Sequence, residues 1–370
     1  MTAPESPVGR RFELEIGPVA HGGHFVARHE GQVVFVRHAL PAEIVTVEIT
    51  EDDGRFLRGD AVEVHAASAE RVSPPCPWAG PGLCGGCDFQ HVSLEEQRRL
   101  KAAVVEEQLS RLAGLERDVV VEEVPPYDGL EWRSRMQYVH LPDGGIALRK
   151  HRSHDLVAID RCLIAHPDAI EPAPGTVTEV VDTPGHGARE FVVAADGFWQ
   201  PHVSAPRTLV ECVLDLVQPR PGESVVDLYA GVGLFAAFLA EAVGPTGAVV
   251  AVEGDRAASV HATSNLAVFP WARSVGGRVD RALVRGVGAA DVVVLDPPRV
   301  GAKRRVVAAI AALRPRAVAY VACDPAALAR DVAYFAECGY RLTVLRAFDL
   351  FPMTHHVECV ALLEPEEGSR

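Results

Sequence analysis

The sequence predicts an α/β protein whose C-terminal part holds a doubly wound, mostly parallel sheet. From about residue 205, short apolar runs typical of strands alternate with longer runs typical of helices, as in that architecture. The first 70 residues show short alternating runs between Gly, Pro and Asp turns, which predict a small OB-like β-barrel. We therefore divide the chain into a barrel (1–70), an α+β central domain (71–204) and the α/β domain (205–370).

The composition indicates a globular protein. Of its 370 residues, 48% are hydrophobic and 23% are charged, so it can bury sizeable cores. The N-terminus lacks an apolar core and the richest apolar stretch, 225–252, is interrupted by acids, so we expect no signal peptide and no membrane partner. Eight cysteines without an export signal point to a cytoplasmic protein that uses clustered Cys for metal or catalysis. We also expect a monomer.

The net charge of −14 argues against a broad nucleic-acid-binding surface, because neutralising phosphates requires Lys and Arg. The segment 128–152 reverses this balance, with five basic residues against three acidic ones. It is either a local basic face or an ordinary solvated hairpin.

Local signals place the main elements. Ser93 and Glu96 predict a capping box that starts a helix ending at Gly114. In the central domain, strand-like runs cover 136–141, 145–150, 156–159 and 191–195. In the α/β domain, the pattern predicts strands at 224–228, 248–252, 291–295, 317–322, 341–348 and 356–363, and helices at 208–217, 234–243, 257–266 and 326–337.

A glycine-rich turn follows the first strand of the α/β domain. Gly231 and Gly233 let the backbone approach a ligand, and with Ala236 they also satisfy a dinucleotide fingerprint. Asp227 would repel a pyrophosphate but suits the cationic amine of S-adenosylmethionine. Glu253, which ends the next strand, can bind ribose hydroxyls. The turn favours S-adenosylmethionine and leaves a dinucleotide as the alternative.

Three reactive side chains lie at or near strand ends, where ligands bind in open parallel sheets. Cys323 is a candidate nucleophile or simply a buried thiol. Asp296, held by two following prolines, is a candidate substrate contact or a helix cap. Glu358 lies in an apolar run, where burial would raise its pKa toward the range of a general base unless it faces solvent.

These side chains fit one reaction. Carbon 5 of uracil is a weak nucleophile until a thiolate adds to carbon 6, a form of covalent catalysis. Carbon 5 then takes a methyl group, and a base must remove its proton before the thiol leaves. The reaction needs a Cys, a base, a group that holds the pyrimidine and a methyl donor, and the predicted sheet edge offers all four.

On these motifs the chain resembles the RNA 5-methyluridine methyltransferases of the tRNA and 23S-rRNA types, over nearly its full length. The motifs are Cys84-Gly-Gly-Cys87-Asp-Phe-Gln-His91, Phe198-Trp-Gln200-Pro-His202, Asp227–Gly233, Asp296-Pro-Pro-Arg-Val-Gly301, Tyr320-Val-Ala-Cys-Asp-Pro325 and Asp349–Glu358. The resemblance implies a TRAM-like barrel, a class I (Rossmann-like) methyltransferase domain, S-adenosylmethionine as cofactor and RNA (rRNA or tRNA) as partner.

The resemblance also implies roles for individual residues. It implies Cys323 as nucleophile and Glu358 as base. We expect cofactor contacts from Gln200, Asp227, Tyr229, Gly231, Gly233, Glu253 and Asp296, and substrate contacts from Asp296, Gln200, Phe198 and Arg133.

Four cysteines indicate a metal centre. Cys76, Cys84 and Cys87 lie in one Gly-rich loop, and Cys162 could be the fourth ligand. Four thiolates fit zinc or a 4Fe–4S cluster, and the resemblance implies the cluster. Unliganded thiols are the remaining alternative.

The chain departs from the family near its nucleophile. It has Ala322, Asp324 and Ala327 where the family usually has hydrogen-bonding Ser, Asn and Thr, and an acid beside a thiol raises its pKa. The spacing from Cys76 to Cys84 is longer than usual, and Met353 replaces a polar residue. A methyltransferase of this scaffold acting on another RNA base, or a catalytically idle iron–sulfur RNA-binding protein, stays open.

Overall fold

The N-terminal part of the protein is a six-stranded β domain. We describe residues 6–366 of a computed structural model. The strands are β1 (Arg11–Glu15), β2 (Val19–Ala20), β3 (His24–His29), β4 (Gln32–Arg37), β5 (Ile44–Asp52) and β6 (Phe56–Ala66). They pair in the order β1-β5-β6-β4-β3-β2. Their alternating inward side chains, such as Phe25, Val34 and Val45, are fully buried, as expected for strands with one face on a core.

The central segment combines one long helix with three small sheets. Helix α1 (Leu94–Gln108) continues into a π-helical turn (Leu109–Ala113). The strands are β8 (Arg133–Arg135), β9 (Val139–His140), β10 (Ile146–Arg149), β11 (Leu156–Ile159), β12 (Ala165–Ile170), β13 (Thr176–Thr183) and β14 (Gly187–Ala194). The predicted strand at 136–141 is wrong in its extent. Strands β12 and β13 were not predicted, and β13 in particular has many polar residues and a largely exposed face.

The start of α1 is only half of the predicted capping box. The Ser93 hydroxyl accepts a hydrogen bond from the Glu96 N–H at 3.3 Å, as predicted. The Ser93 N–H, however, donates to the Glu70 carbonyl at 2.9 Å, while the Glu96 carboxylate pairs with Arg99. A tertiary contact therefore replaces the reciprocal bond of the box. Gly114, at φ +64°, ends the helical segment as predicted.

The C-terminal part is an eight-stranded sheet between helices, which confirms the predicted α/β class. The remaining elements are β7 (Val121–Glu122), β15 (Ser224–Leu228), β16 (Ala248–Glu253), β17 (Ala272–Gly276), β18 (Val292–Leu295), β19 (Ala317–Ala322), β20 (Tyr340–Phe348), β21 (Glu358–Pro365), α2 (Ala205–Val217), α3 (Leu234–Val243), α4 (Arg256–Asn265), α5 (Arg281–Gly286), α6 (Lys303–Leu313) and α7 (Pro325–Glu337). The strand order is β17-β16-β15-β18-β19-β21-β20-β7. All pairings are parallel except those of β21 with its two neighbours.

Two features of this sheet differ from the sequence pattern. The elements β17, α5 and α6 were not predicted, and the last strand begins at Glu358, two residues later than expected. The edge strand β7 comes from residues assigned to the central domain, yet it pairs with β20. The boundary at residue 204 therefore stays a prediction. In residues 6–366, no helix has the length and apolar character needed to cross a membrane.

Candidate active site

The strand arrangement brings three predicted site residues to one edge of the sheet. Asp296 directly follows β18 and Cys323 directly follows β19, and these two strands run parallel. Strand β21 runs antiparallel to β19, with Ala322 opposite Cys359. Because of this reversal, the first residue of β21, Glu358, begins where β19 ends. A thiol and two carboxyl groups thus meet at the edge where such sheets bind ligands.

The two carboxyl groups are both buried, and the ionisation of one disfavours the ionisation of the other. Glu358 is only 4% exposed, and burial, followed by the nearby Asp296, raises its pKa well above the usual value, while Arg299 opposes the shift. Burial raises the pKa of Asp296 to about 7, although the Gln200 amide donates to its carboxylate at 3.3 Å. Two buried carboxyl groups that act on each other in this way cannot both ionise easily, so we expect the pair to retain a proton near neutral pH.

The Cys323 thiol lies next to this pair and is half-buried. Burial, then Glu358 and Asp296, raise its pKa to about 12, and Arg299 opposes them. The thiol is therefore protonated in the free protein. The sequence pattern singled out the Asp296–Gly301 motif but no role for Arg299, and the contribution of this cation became visible only once the strand ends were assembled.

The glycine-rich turn forms the adjoining part of the edge. Asp227 is fully buried and accepts a hydrogen bond from the Ala236 N–H at 3.0 Å through one oxygen. Its other oxygen is buried and has no hydrogen-bond partner within residues 6–366. Burial, then Asp296 and Glu253, raise the pKa of Asp227 well above its usual value. A buried acceptor without a partner is unfavourable, and a cationic amine would satisfy it.

The backbone of the turn leaves space for a ligand. Gly231 and Gly233 have φ of +55° and +90°, and apart from Gly231 and its two neighbours in the chain no described atom lies within 4 Å of a Cβ built on Gly231. Tyr229, which is not a glycine, also has a positive φ of +62°, a conformation that often marks functional sites. The Glu253 carboxylate accepts from the Gly231 N–H at 2.8 Å and the Asp255 N–H at 2.6 Å. These features fit S-adenosylmethionine.

The loop that leads into Glu358 is tied to the cysteine-rich loop of the central segment. The Asp88 and Phe89 N–H groups donate to the Met353 carbonyl at 2.9 and 3.0 Å. The imidazole Nδ1 of His355 lies 2.6 Å from the Asp88 carboxylate. The buried Lys101 amine of α1 donates to Asp349 at 2.5 Å. Sequence reasoning missed these contacts because each joins separate parts of the chain.

Comparisons with known proteins match three segments of the chain, one of which contains the residues at this edge of the sheet. Residues 5–62 match the TRAM domain, and residues 287–366, which include Asp296, Cys323 and Glu358, match the family described as tRNA (Uracil-5-)-methyltransferase. Residues 196–272 match the protein-L-isoaspartate (D-aspartate) O-methyltransferase family.

Two relatives extend the match over nearly the whole chain. An uncharacterized RNA methyltransferase of Streptomyces avermitilis is 45% identical, covering 97% of this chain and 99% of its own. A 23S rRNA (uracil(1939)-C(5))-methyltransferase of Shewanella sp. strain MR-7 is 30% identical and covers 93% of each chain. The chain belongs to the RNA (uracil-C5) methyltransferase family. It is therefore a methyltransferase that acts on RNA.

A solved structure shares the fold of this methyltransferase. The tRNA (uracil-54, C5)-methyltransferase of Pyrococcus abyssi, in complex with S-adenosyl-L-homocysteine, superposes with a TM-score of 0.70. It is 21% identical, with 95% of this chain and 99% of that chain covered. The likeness confirms the predicted class I architecture.

The methyltransferase has a second pocket, lined by Cys76, Cys84, Cys87 and Cys162, which we call the four-cysteine pocket. Its volume is about 330 Å³. Burial raises the thiol pKa of Cys84, Cys87 and Cys162, and in each case another thiol of the set raises it further. No three His, Cys, Asp or Glu side chains within residues 6–366 converge as they would around a single metal ion. The thiols therefore surround a common space without meeting at one point.

Cations surround the four-cysteine pocket. Its lining includes Arg133, Arg149, Lys150, Arg152 and Arg161, which we call the basic rim. Arg152 lies 3.8 Å from Glu51, and the other four have no carboxylate within 4.0 Å in the described part of the chain. Four cations of the predicted basic segment, Arg133, Arg149, Lys150 and Arg152, line this pocket, whereas Arg135 pairs with Glu179 at 2.7 Å.

Two predicted substrate residues lie away from Cys323. Arg133 belongs to the basic rim and donates to the Arg135 carbonyl at 3.0 Å. Phe198 is 73% exposed, and neither residue lines the pocket that contains Cys323. Gln200, by contrast, reaches Asp296. The structure therefore joins Gln200 to a carboxyl group of the site, whereas no hydrogen bond or ion pair in the described residues links Phe198 or Arg133 to Cys323, Asp296 or Glu358.

Proposed function

We propose that this methyltransferase makes 5-methyluridine in RNA by covalent catalysis, with Cys323 as the nucleophile and Glu358 as the base. The observation that carries the proposal is the meeting of a thiol and a buried carboxyl group at the ends of β19 and β21. The reaction needs a nucleophile at carbon 6 and a base at carbon 5. Because these two carbons are neighbours in one ring, the thiol and the carboxyl group must lie close together.

In the first step, the Cys323 thiolate bonds to carbon 6 of uracil, and the electron pair of the double bond moves to carbon 5 as an enolate. In the free protein the thiol pKa of about 12 opposes this step. Arg299 is the chain's own opposing cation near the thiol, and a cationic ligand would add to its effect. We therefore expect the thiolate to form mainly in the fully loaded site.

In the later steps, carbon 5 gains the methyl group and still carries its proton. The Glu358 carboxylate removes this proton, the double bond re-forms and the sulfur–carbon bond breaks, which returns Cys323 as a thiolate. Asp296 and Gln200, joined by a hydrogen bond, can hold the polar edge of the pyrimidine. Because the two carboxyl groups do not ionise easily together, Asp296 can stay neutral while the ionised Glu358 accepts the carbon-5 proton.

We propose S-adenosylmethionine as the methyl donor, bound along Asp227, the Gly231–Gly233 turn and Glu253. When bound, it would supply a methyl group from its cationic sulfonium, whose sulfur–methyl bond breaks, and it would leave as S-adenosylhomocysteine. The orphaned Asp227 oxygen and the mutual effect of Asp227, Glu253 and Asp296 support a cationic ligand. A dinucleotide would instead place a pyrophosphate against these carboxyl groups, which Coulomb repulsion disfavours.

We propose that Cys76, Cys84, Cys87 and Cys162 hold a 4Fe–4S cluster, with zinc as the alternative. A cluster spreads its four thiolates around an inorganic core, whereas zinc draws its ligands to one point. A pocket of about 330 Å³ lined by all four cysteines supports a bound inorganic group, and the resemblance to the family favours the cluster over zinc. Bound there, the cluster would order the loop that also carries Asp88.

We propose RNA, and first 23S rRNA, as the substrate. The Shewanella relative, which matches over 93% of each chain, is named for uracil 1939 of 23S rRNA. The basic rim offers five cations on a chain of net charge −14, and such a local patch is what phosphate binding requires. Transfer RNA is the alternative substrate, and the test below compares the two RNAs.

The test is covalent trapping. With S-adenosylmethionine and transcripts of 23S rRNA or tRNA, the Glu358→Gln variant is expected to accumulate a protein–RNA adduct. The variant lacks the base that removes the proton from carbon 5 of the bound uracil. Cys323→Ala is expected to give none. Denaturing electrophoresis and mass spectrometry of the Cys323 peptide detect the adduct. The exposed Cys338 is the matched control, and Cys338→Ala should methylate like the unmodified protein. An active Cys323→Ala enzyme would contradict the proposed mechanism.

A further inference from the structure

The turn between β2 and β3 of the barrel reaches the thiol of the methyltransferase domain. His21, Gly22 and Gly23 line a pocket of about 100 Å³ together with Cys323. Gly23 has φ +77°, and a Cβ built on it would lie 2.6 Å from the His355 Cβ. Only glycine permits so close an approach in this conformation. The barrel turn is therefore packed against the loop that leads into Glu358.

This turn makes a polar contact beside the thiol. The His21 Nε2 lies 3.1 Å from one oxygen of Asp324, the residue that directly follows Cys323. The other oxygen of Asp324 accepts from the Ala327 N–H at 2.7 Å and caps α7. One carboxylate thus joins the barrel to the helix that starts next to the thiol.

The charges around this contact favour an ion pair. The hydrogen bond from Asp324 raises the pKa of His21 against the effect of burial; Glu107 also raises it and Arg330 lowers it. Burial by itself would raise the pKa of Asp324, but the bonds from His21 and Ala327 outweigh it, so the pKa is lowered. The charged groups that act on Cys323 are Glu358, Asp296, Arg299 and Asp324.

We infer that His21 is a positioning residue of the barrel, which holds Asp324 on the α7 cap and offsets its negative charge beside the Cys323 thiol. The inference rests on the proposed role of Cys323. Asp324 adds a carboxylate directly after the thiol. A histidine from another domain balances the extra charge.

The inference predicts a pH signature in the reactivity of the thiol. While His21 is protonated, the pair with Asp324 is neutral. Once His21 loses its proton, Asp324 becomes an unbalanced anion and disfavours the thiolate. Replacing His21 by Gln, which keeps a donor but cannot be charged, should therefore matter only at pH values below the pKa of His21.

The test measures alkylation of Cys323 by iodoacetamide in the full chain without RNA, from about pH 5.5 to about pH 9, around the usual histidine pKa. Mass spectrometry of the Cys323 peptide gives the rate. We expect His21→Gln to react about threefold more slowly than the unmodified protein at the acidic end, equivalent to about half a pKa unit. The two rates should become equal at the basic end.

A double-mutant cycle separates charge from structure. In an Asp324→Asn background, where Asn still caps the helix, His21→Gln should have no further effect. His65→Gln is the matched control, because His65 also lies in the barrel and contacts Thr46 at 2.7 Å, away from the pocket. All variants are compared after their melting temperatures confirm folding.

Equal rates for His21→Gln and the unmodified protein at every pH would overturn the inference. The same slowing in the Asp324→Asn background would overturn it as well. These outcomes are independent of the proposed function, because the alkylation uses no RNA and no methyl donor. Failure of the proposed function would appear instead as RNA methylation by Cys323→Ala.

Discussion

The two thiol sites of the molecule lie in opposite electrostatic surroundings. Cys323 faces three carboxyl groups and one opposing cation, and its pKa rises to about 12. The four-cysteine pocket is also buried, but the basic rim surrounds it. A cationic rim suits thiolates that stay ionised as ligands, whereas an acidic edge keeps a nucleophile protonated until a cationic partner arrives. Burial is the largest cause of the raised thiol pKa at both sites. The neighbours differ, with carboxyl groups next to the proposed nucleophile and other thiols next to the proposed ligands.

The largest effect should come from exchanging one thiol at a time. Cys323→Ser is expected to lower methyl transfer at least about a thousandfold, because it removes the nucleophile, while the iron content and visible absorbance stay unchanged. Cys87→Ser should instead lose the absorbance and the iron. Metal analysis, absorbance and incorporation of labelled methyl groups check both. Zinc in the purified protein would contradict the iron–sulfur cluster. Loss of iron in Cys323→Ser would contradict the independence of the two thiol sites.

A smaller effect concerns the acidic edge and pH. Since burial raises the pKa of Asp296 to about 7, a cationic ligand should bind more tightly once this group ionises. The affinity for S-adenosylmethionine is expected to rise about tenfold from about pH 6 to about pH 8, with release of a proton. Calorimetry in two buffers measures both quantities.

The control for this prediction is S-adenosylhomocysteine, which lacks the sulfonium charge and should show a weaker pH dependence. Asp296→Asn should flatten the dependence for the cationic ligand. Identical pH profiles for the two ligands would show that charge at this edge does not select the methyl donor.

An effect of similar size should come from the basic rim. Arg149→Glu is expected to weaken RNA binding by about tenfold at low salt and to reduce the salt dependence, because it removes a phosphate contact. Arg220→Glu carries the same charge change at an exposed position next to the opposite end of the sheet and serves as the control. Filter binding at several salt concentrations compares them. Equal losses in both variants would mean that only net charge matters.

Much of the site could be predicted because its parts are local. A strand followed by Asp-Pro, Cys-Asp-Pro or a Gly-rich turn is visible in a few residues, and parallel strands bring their carboxyl ends to one edge. Asp227, Asp296 and Cys323 were found in this way. Glu358 was found as an acid in an apolar run, although its strand begins two residues later than expected.

The rest could not be predicted from local pattern. Strand β7 pairs through only two residues and has no periodicity of its own. Arg133 lies on the basic rim and Phe198 is exposed, so their contact with substrate stays a prediction. The capping box was half right, because Glu70 from outside the helix satisfies the Ser93 N–H.

The sequence by itself determined which reactive groups end the strands, and with them the fold class and the chemistry, because these depend on neighbours in the chain. Only the tertiary structure decided how those groups are tuned. His21 and Asp324 are 303 positions apart, and His355 and Asp88 are 267 apart. Contacts of that range depend on how the barrel, the cysteine-rich loop and the sheet pack together, and no local pattern encodes such packing.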